Sequence, residues 1–229
     1  MMPDPQSPRG VPDAGVVGLI GANGAGKSTL IKILLALLPA TDGRAAVLGL
    51  DVASAGTAVR ARVGYMPEHD CLPPDATATD FVVHLARMSV LSATAARERT
   101  ADALRHVGLY EERYRPIGGY SAGMRQRVKP AQALVHDPQL VFLDEPTNGL
   151  DPAGRDDMLG LIARINAEFG ISVLVTSHLL GELERVCDHV MVIEGAASMP
   201  VTCSANQHTG PTDASRDAFP PIKAGLNQL

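Results

Sequence analysis

The sequence predicts an α/β protein with a mostly parallel sheet and a helical subdomain. Short apolar runs typical of buried strands alternate with segments of helical periodicity, the order expected where helices connect parallel strands. From about residue 70 to 120 the periodicity is helical alone, so this stretch is predicted to be an insertion into the sheet. A length of 229 residues with 45% hydrophobic content suffices for one such domain with a proper core.

The first predicted strand and helix enclose a glycine-rich loop. Residues 16–20 (VVGLI) are a continuous apolar run, and after the loop apolar residues recur at helical spacing until Pro39. The loop follows the pattern G-x-x-x-x-G-K-[ST], whose glycines let successive N–H groups converge on phosphate oxygens. The alternative is a glycine-rich turn that carries a lysine by chance, which would not require the flanking strand and helix. The loop therefore predicts a nucleotide site on a P-loop NTPase core. Its residues are Gly21, Ala22, Asn23, Gly24, Ala25, Gly26, Lys27, Ser28 and Thr29.

Side chains with expected chemical roles lie in this loop and after two later strands. Lys27 is expected to reach the β- and γ-phosphates of a nucleotide, and Ser28 to bind Mg²⁺. The loop alone leaves kinases, GTPases and many ATPases open. Asp144 and Glu145 follow an apolar strand, where Asp144 can hold Mg²⁺ and Glu145 can polarise the water that attacks the γ-phosphate. His178 lies two residues after another predicted strand and can hold that water in line. Taken singly, the two acids could be the solvated start of a loop, and the histidine could be structural.

The remaining elements follow in order along the chain. Predicted strands are 45–48, 63–66, 140–143, 171–176 and 190–193, and predicted helices are 27–38, 122–135, 152–170 and 179–186. Pro130 lies inside one of these helices and is expected to bend it without ending it. Residues 1–14 are expected to be a loose leader, residues 15–194 the folded domain and residues 195–229 a disordered tail.

Composition and charge exclude several classes of protein. A formal net charge of −5 argues against a nucleic-acid partner, which normally meets a basic excess or patch. The three cysteines have no metal-ligand spacing and are typical of thiols in a reducing cytosol. No apolar run approaches the roughly 18 residues of a membrane span, and the polar start of the chain lacks the apolar core of a signal peptide. A role at a membrane would therefore require another chain to hold this protein there.

Further segments, together with the loop, resemble the motifs of ATP-binding cassette (ABC) proteins. Residues 120–127 (YSAGMRQR) resemble the signature motif, residues 140–146 (LVFLDEP) the Walker B strand and residues 148–151 (NGLD) the D-loop. His178 matches the switch histidine, whereas Glu68 stands where the family usually has the glutamine of its Q-loop. The resemblance covers about residues 16–193 and is greatest to the nucleotide-binding subunits of ABC-2 type exporters.

The resemblance implies that two such domains, alike or different, sandwich two ATP molecules. Ser121 and Gly123 would then serve the γ-phosphate bound by the second domain, and Asp151 would cross the interface. Glu68 would belong to the nucleotide site and to the loop that meets the membrane partner. Local explanations also exist, because Ser121 can be a helix N-cap and Asp151 a turn residue.

The resemblance weakens at both ends of the sequence, which look cropped relative to the family. Residues 1–64 contain no Phe, Tyr, Trp or His, so the family's aromatic residue that stacks on adenine is missing. Stacking of a base on an aromatic ring contributes about 1–3 kcal/mol. We therefore expect weak discrimination between nucleotide bases.

The predicted function is an ATP-binding and hydrolysing subunit that powers transport through separate membrane-spanning permease subunits. It would lie in the cytoplasm, on the inner face of the cell membrane. The alternative is a degenerate nucleotide-binding module that hydrolyses ATP weakly or not at all. A soluble ABC ATPase of DNA repair or translation is disfavoured by the acidic charge and by the lack of a long coiled-coil insertion between Lys27 and Ser121.

Overall fold

The structure is a computed structural model that describes residues 15–69 and 71–193 and the backbone of residues 204–205. The strands are β1 (Val16–Ile20), β2 (Ala46–Val47), β3 (Leu50–Asp51), β4 (Val63–Met66), β5 (Leu140–Asp144), β6 (Ser172–Ser177), β7 (His189–Val192) and β8 (Ser204–Ala205). The helices are α1 (Lys27–Leu34), α2 (Val52–Arg60), α3 (Ala78–Met88), α4 (Ala93–His106), α5 (Ala122–Leu134), α6 (Pro152–Phe169) and α7 (Leu180–Leu183). The predicted leader, and the predicted tail apart from β8, lie outside the described residues.

The central sheet brings three strand ends to one edge. Among the described residues it has six strands in the order β4-β5-β6-β1-β7-β8, all parallel to their neighbours except β8. Ile20 of β1 lies opposite Ser177 of β6, and Asp144 of β5 lies opposite Thr176 of β6. The chain therefore leaves β1, β5 and β6 side by side, at the carboxyl edge where open α/β sheets bind ligands.

The parallel strands of the sheet contribute to two hydrophobic cores, one on each face. In β5, Val141 and Leu143 belong to the core that contains residues of α3 to α6. Leu140 and Phe142, which alternate with them, belong to the core that contains residues of α1 and α2. Because both faces are covered, the strand sequence is apolar throughout instead of alternating with polar residues.

The helical subdomain consists of α3, α4 and the segment that leads into α5. Side-chain caps begin both helices, since Thr77 Oγ1 accepts from Asp80 N at 3.0 Å and Ser92 Oγ accepts from Ala95 N at 3.2 Å. The returning chain forms an isolated bridge between Pro116 and Thr77. None of the helices within the described ranges is both long enough and apolar enough to span a bilayer.

The end of α1 differs from the sequence prediction, which extended this helix to residue 38. Ala36 adopts φ = 53°, and the N–H groups of Ala36 and Leu37 bond to the carbonyls of Ile33 and Lys32 at 2.9 and 2.8 Å. This is the Schellman type of helix ending, for which glycine is the usual residue. The predicted end is wrong because an alanine takes the position where the pattern favours glycine.

Helix α2 and strand β3 are present although the sequence did not predict them. Asp51 caps α2 by accepting from Ser54 N at 2.9 Å. Gly56 inside the helix weakens its propensity, but a Cβ at this position would lie 2.5 Å from the Cβ of Ala36. The glycine therefore allows α2 to approach the end of α1. The predicted helix 179–186, in contrast, is reduced to the four residues of α7.

Helix α5 is present and continues through the buried Pro130. It packs closely on β4, because Gly64 has no Cβ. A Cβ at this position would clash with the carbonyl oxygen of Ala133. Helix α5, which begins within the segment that resembles the signature motif, thus packs against β4, the strand that leads to Glu68.

Candidate nucleotide-binding site

The glycine-rich loop opens into a cleft of about 450 Å³ at the carboxyl edge of the sheet. Gly24 and Gly26 have φ of 82° and 100°, values that residues with a Cβ rarely adopt, and Gly26 is the N-cap of α1. The N-terminus of α1 and its free N–H groups thus border the cleft, which suits an anion. The lining residues are 22–29, Glu68, Glu145, Asn148 and His178.

Lys27 is buried beneath this loop and is already paired with an anion. Its Nζ donates to the carbonyl of Gly21 at 2.7 Å and to that of Ala22 at 3.4 Å. The same atom lies 3.1 Å from Glu145 Oε1, in an ion pair whose side chains are 7% and 5% exposed. A phosphate entering the loop would therefore meet an ammonium group that can exchange one anionic partner for another.

Glu145 is held by contacts on both its backbone and its side chain. Its backbone N–H donates to Thr176 Oγ1 at 2.9 Å, and Thr176 Oγ1 donates to Asp144 Oδ1 at 2.8 Å. Glu145 Oε2 lies 2.9 Å from His178 Nδ1, and because a carboxylate only accepts, we assign the proton to Nδ1. Lys27, predicted to bind phosphate, and Glu145 and His178, predicted to be catalytic, thus form one continuous network.

The predicted metal ligands are oxygen donors that suit Mg²⁺. Ser28 lines the cleft, and the carboxylate of Asp144 lies at the end of β5 with 1% exposure. No cluster of three or more His, Cys, Asp or Glu side chains fit to hold a metal occurs in the described part of the chain. Mg²⁺ is usually bound by one or two protein oxygens, with phosphates and water completing the octahedron.

Glu68 lines the cleft and is fixed by two residues that the sequence analysis missed. Its Oε1 accepts from Asn148 Nδ2 at 3.3 Å, and its backbone carbonyl accepts from Lys129 Nζ at 2.7 Å. Lys129 is buried and also contacts Gln126 Oε1 at 3.3 Å, while Gln126 Nε2 donates to the carbonyl of Pro146 at 2.7 Å. These links tie α5 to the loops after β4 and β5. The links to Glu68 and Pro146 could not be predicted from the sequence pattern, because they join residues 20 or more positions apart along the chain.

Ser121, Gly123 and Asp151 lie outside this cleft in the described part of the chain. Ser121 is the exposed N-cap of α5, with its Oγ accepting from Met124 N at 3.2 Å. Asp151 caps α6 in the same way, accepting from Gly154 N at 3.2 Å. The contacts within the chain are thus the local ones anticipated for a cap and a turn. Their assignment to the nucleotide site remains a prediction.

The described lining of the cleft offers no large aromatic side chain on which a base could stack. Among the described residues that line the cleft there is no Phe, Tyr or Trp. Tyr65 of β4 is half-buried against the core, where burial, reinforced by the Asp144 carboxylate, raises the pKa of its phenol to about 12. This ring therefore belongs to the sheet and does not form a stacking surface in the cleft.

Comparison with known proteins identifies the family. The sequence matches the ABC transporter family over residues 10–148, and the chain belongs to this family. It is 38% identical over 181 residues to the uncharacterised ABC transporter ATP-binding protein YxlF of Bacillus subtilis, covering 78% of this chain and 58% of that protein. It is 39% identical over 184 residues to the daunorubicin/doxorubicin resistance ATP-binding protein DrrA of Streptomyces peucetius, covering 80% and 56%. The chain thus spans somewhat over half the length of these relatives.

Solved structures agree with this assignment. CbiO1 of Clostridium perfringens, part of the ABC transporter complex cbiONQ, superposes with a TM-score of 0.72 at 29% identity, covering 79% of this chain and 73% of that one. A dimeric ATP-binding cassette bound to ADP and phosphate has a TM-score of 0.76, covering 87% and 89%, and its 22% identity makes it evidence for the fold alone. The predicted resemblance to ABC proteins and the predicted P-loop NTPase fold are confirmed.

Proposed function

We propose that this chain binds and hydrolyses ATP to drive transport through separate membrane-spanning permease subunits. The observation that carries this proposal is the network of Lys27, Glu145 and His178, which joins the phosphate loop to the ends of two further strands. Relatives with a matching domain include ATP-binding proteins named for drug resistance and for Nod factor export, which favours export.

The site residues divide the work of phosphoryl transfer among them. Lys27 and the N–H groups of the loop bind and orient the phosphates of ATP. Glu145 accepts a hydrogen bond from the attacking water. His178 contacts both the Glu145 carboxylate and the γ-phosphate and keeps the two aligned. Ser28 and Asp144 would hold Mg²⁺, which neutralises phosphate charge when bound. Glu68, beside Asn148, faces the same cleft and completes its acidic side.

A second nucleotide-binding domain would complete the site. Ser121 and Gly123 lie at an exposed helix N-terminus outside the cleft of their own chain, so they are available to a γ-phosphate held by a partner. Asp151, exposed at the start of α6, would lie at the same interface. The pairing would bury two ATP molecules between two domains, alike or different.

The membrane partner would meet the Glu68 loop and the helical subdomain. This places the protein in the cytoplasm, peripheral to the inner face of the cell membrane and held there by its permease. The formal charge of −5 gives no support to a nucleic-acid partner.

A second candidate function is a nucleotide-binding module that hydrolyses ATP weakly or not at all. The lack of a Phe, Tyr or Trp side chain among the described residues of the cleft favours it, since base stacking is then weaker. The two functions differ in a quantity that can be measured directly, the release of phosphate by the purified chain.

The deciding experiment compares Glu145→Gln with the parent chain. We expect phosphate release to fall roughly 10²- to 10⁴-fold, because the amide cannot act as a general base, while Mg-ATP binding is retained. Glu168→Gln, an exposed change on α6, is the matched control and should leave turnover unchanged. If the parent chain hydrolyses ATP and Glu145→Gln does so at the same rate, Glu145 is not the general base. If the parent chain releases no phosphate, the second function is favoured.

A further inference from the structure

We infer that Glu182 is a positioning residue whose carboxylate holds together the loop that carries Glu145 and Asp151 and the turn that carries His178. Glu182 lies on the short helix α7, outside the residues that line the cleft, and its side chain is 12% exposed. The inference rests on the proposed function, because the residues it positions are those assigned to hydrolysis and to the domain interface.

Two hydroxyl groups, one from the loop after β5 and one from the last residue of β6, meet one oxygen of this carboxylate. Glu182 Oε2 accepts from Thr147 Oγ1 at 2.6 Å and from Ser177 Oγ at 3.3 Å. Thr147 is buried and lies two residues after Glu145, and Ser177 directly precedes His178. Glu182 thus joins the loop after β5 to the end of β6, next to His178.

The backbone around His178 is bound into the same arrangement. Ser177 Oγ, while donating to Glu182, accepts from the N–H of Leu179 at 3.0 Å. The residues before and after His178 are therefore both held by one hydroxyl group, whose orientation Glu182 sets. A change at Glu182 would release this turn without touching the imidazole itself.

The other oxygen faces the start of α6. Arg155 Nη1 lies 3.8 Å from Glu182 Oε1, which is buried and has no hydrogen-bond partner among the described residues. Arg155 also donates through Nε to the carbonyl of Leu150 at 3.0 Å, the residue directly before Asp151. The negative charge of Glu182 thereby orients Arg155, which donates a hydrogen bond to the loop that ends at Asp151.

This arrangement requires a carboxylate and not merely a side chain of similar size. A carboxylate accepts at both oxygens, so it can take two hydroxyl donors on one oxygen and attract a guanidinium with the other. Glutamine could still accept from Thr147 but would lose the charge that faces Arg155. Alanine would lose every one of these contacts.

The test measures turnover, ATP affinity and the state of His178 in Glu182→Ala, Glu182→Gln and the control Glu168→Ala. We expect turnover of Glu182→Ala to fall roughly tenfold to a hundredfold, with KM for ATP within about twofold, because misplaced groups slow the reaction while the phosphate loop is untouched. Glu182→Gln should lie between Glu182→Ala and the parent chain, and Glu168→Ala should match the parent.

An NMR signal from the imidazole of His178, assigned with His178→Gln, gives a readout that does not depend on hydrolysis. We expect this signal to move in Glu182→Ala and to stay in place in Glu168→Ala. A lower melting temperature with unchanged turnover and an unmoved His178 signal would overturn the inference. If Glu182→Ala does not fold, Glu182→Gln and Thr147→Val decide by the same two criteria.

The two proposals can fail separately. If the parent chain does not release phosphate, the proposed function fails, while the His178 signal still reports whether Glu182 positions that residue. If the parent chain is active and Glu182→Ala matches it in turnover and in the His178 signal, the inference fails and the proposed function stands.

Discussion

The phosphate end of the candidate site and the start of α5 differ in what holds their functional residues. At the phosphate end, Lys27 and Glu145 are buried and joined at 3.1 Å, and Glu145 is also bonded to His178. At the start of α5, Ser121 is exposed, and its hydroxyl accepts from Met124 of its own helix. One half is organised by contacts between distant segments of a single chain, and the other by contacts within one helical turn.

This difference shows which part of the site the isolated chain can assemble. Buried charges must be paired, so the geometry of the phosphate end is fixed by the fold itself. An exposed helix cap leaves N–H groups available for an anion from outside, and its own stability does not depend on that anion. The following substitutions test whether the two halves are as independent as their contacts indicate.

The largest effect is expected for Lys27→Ala, which breaks the phosphate end. ATP affinity should fall roughly a hundredfold, because charge-assisted bonds to the phosphates are lost. Stability should also fall by about 3 kcal/mol, since Glu145 then loses the cation it pairs with in a buried site. Nucleotide titration and chemical unfolding measure the two effects. Lys32→Ala, an exposed change on the same helix, is the control, and equal affinities for both variants would contradict the prediction.

A smaller and more selective effect is expected for Ser121→Ala. Removing an N-cap costs about 1 kcal/mol, and Ser92→Ala removes a cap with the same 3.2 Å bond from α4. Both variants should lose similar stability, but Ser121→Ala alone should lower turnover, by roughly tenfold, because its N-terminus serves the partner's phosphate. ATP binding by the single domain should stay unchanged in both. Equal turnover for the two variants would return Ser121 to a purely structural role.

A modest gain in stability is expected on replacing Pro130 in α5. A proline in a helix interior costs about 3 kcal/mol through its missing N–H and its steric conflict. Pro130→Leu and the smaller Pro130→Ala restore the N–H, and part of the cost should return as a rise of roughly 2–4 °C in melting temperature. Using both variants separates backbone strain from the fit of the new side chain. Unchanged melting temperatures for both would show that the helix accommodates the proline without strain.

The smallest effect is expected from changing the base of the nucleotide. Because no Phe, Tyr or Trp lines the described cleft, ATP and GTP should bind with dissociation constants within about fivefold of each other. Competition of both nucleotides against a fluorescent analogue measures this ratio. A low micromolar affinity for ATP that is lost with GTP would mean that another part of the protein recognises adenine.

The fold is confirmed, and the proximity of Lys27, Glu145 and His178 could be predicted, because both depend on local patterns. The apolar run of β1, the glycine pattern and the acids after β5 each lie within a few residues, and the register of a parallel sheet then brings the strand ends together. The sequence therefore predicts that Glu145 and His178 belong to one site, and their side chains lie 2.9 Å apart.

The supporting residues could not be predicted in this way. Lys129 reaches Glu68 across 61 positions, and Thr147 reaches Glu182 across 35, so no periodicity or motif reports them. Ala36 ends α1 in the left-handed conformation, and Gly56 lets α2 approach that end, because a Cβ at residue 56 would lie 2.5 Å from the Cβ of Ala36. Tertiary packing thus decided what local propensity left open.

The backbone at Glu145 limits the evolutionary variation that this position can accept. Its φ of 49° lies in the left-handed region, which costs a residue with a Cβ about 1 kcal/mol or more and is most unfavourable for β-branched side chains. Glycine, asparagine and aspartate would fit this conformation at lower cost, but each lacks the reach or the charge to bridge Lys27 and His178. The substitutions that the backbone conformation would favour at position 145 would therefore lose the contacts to Lys27 and His178.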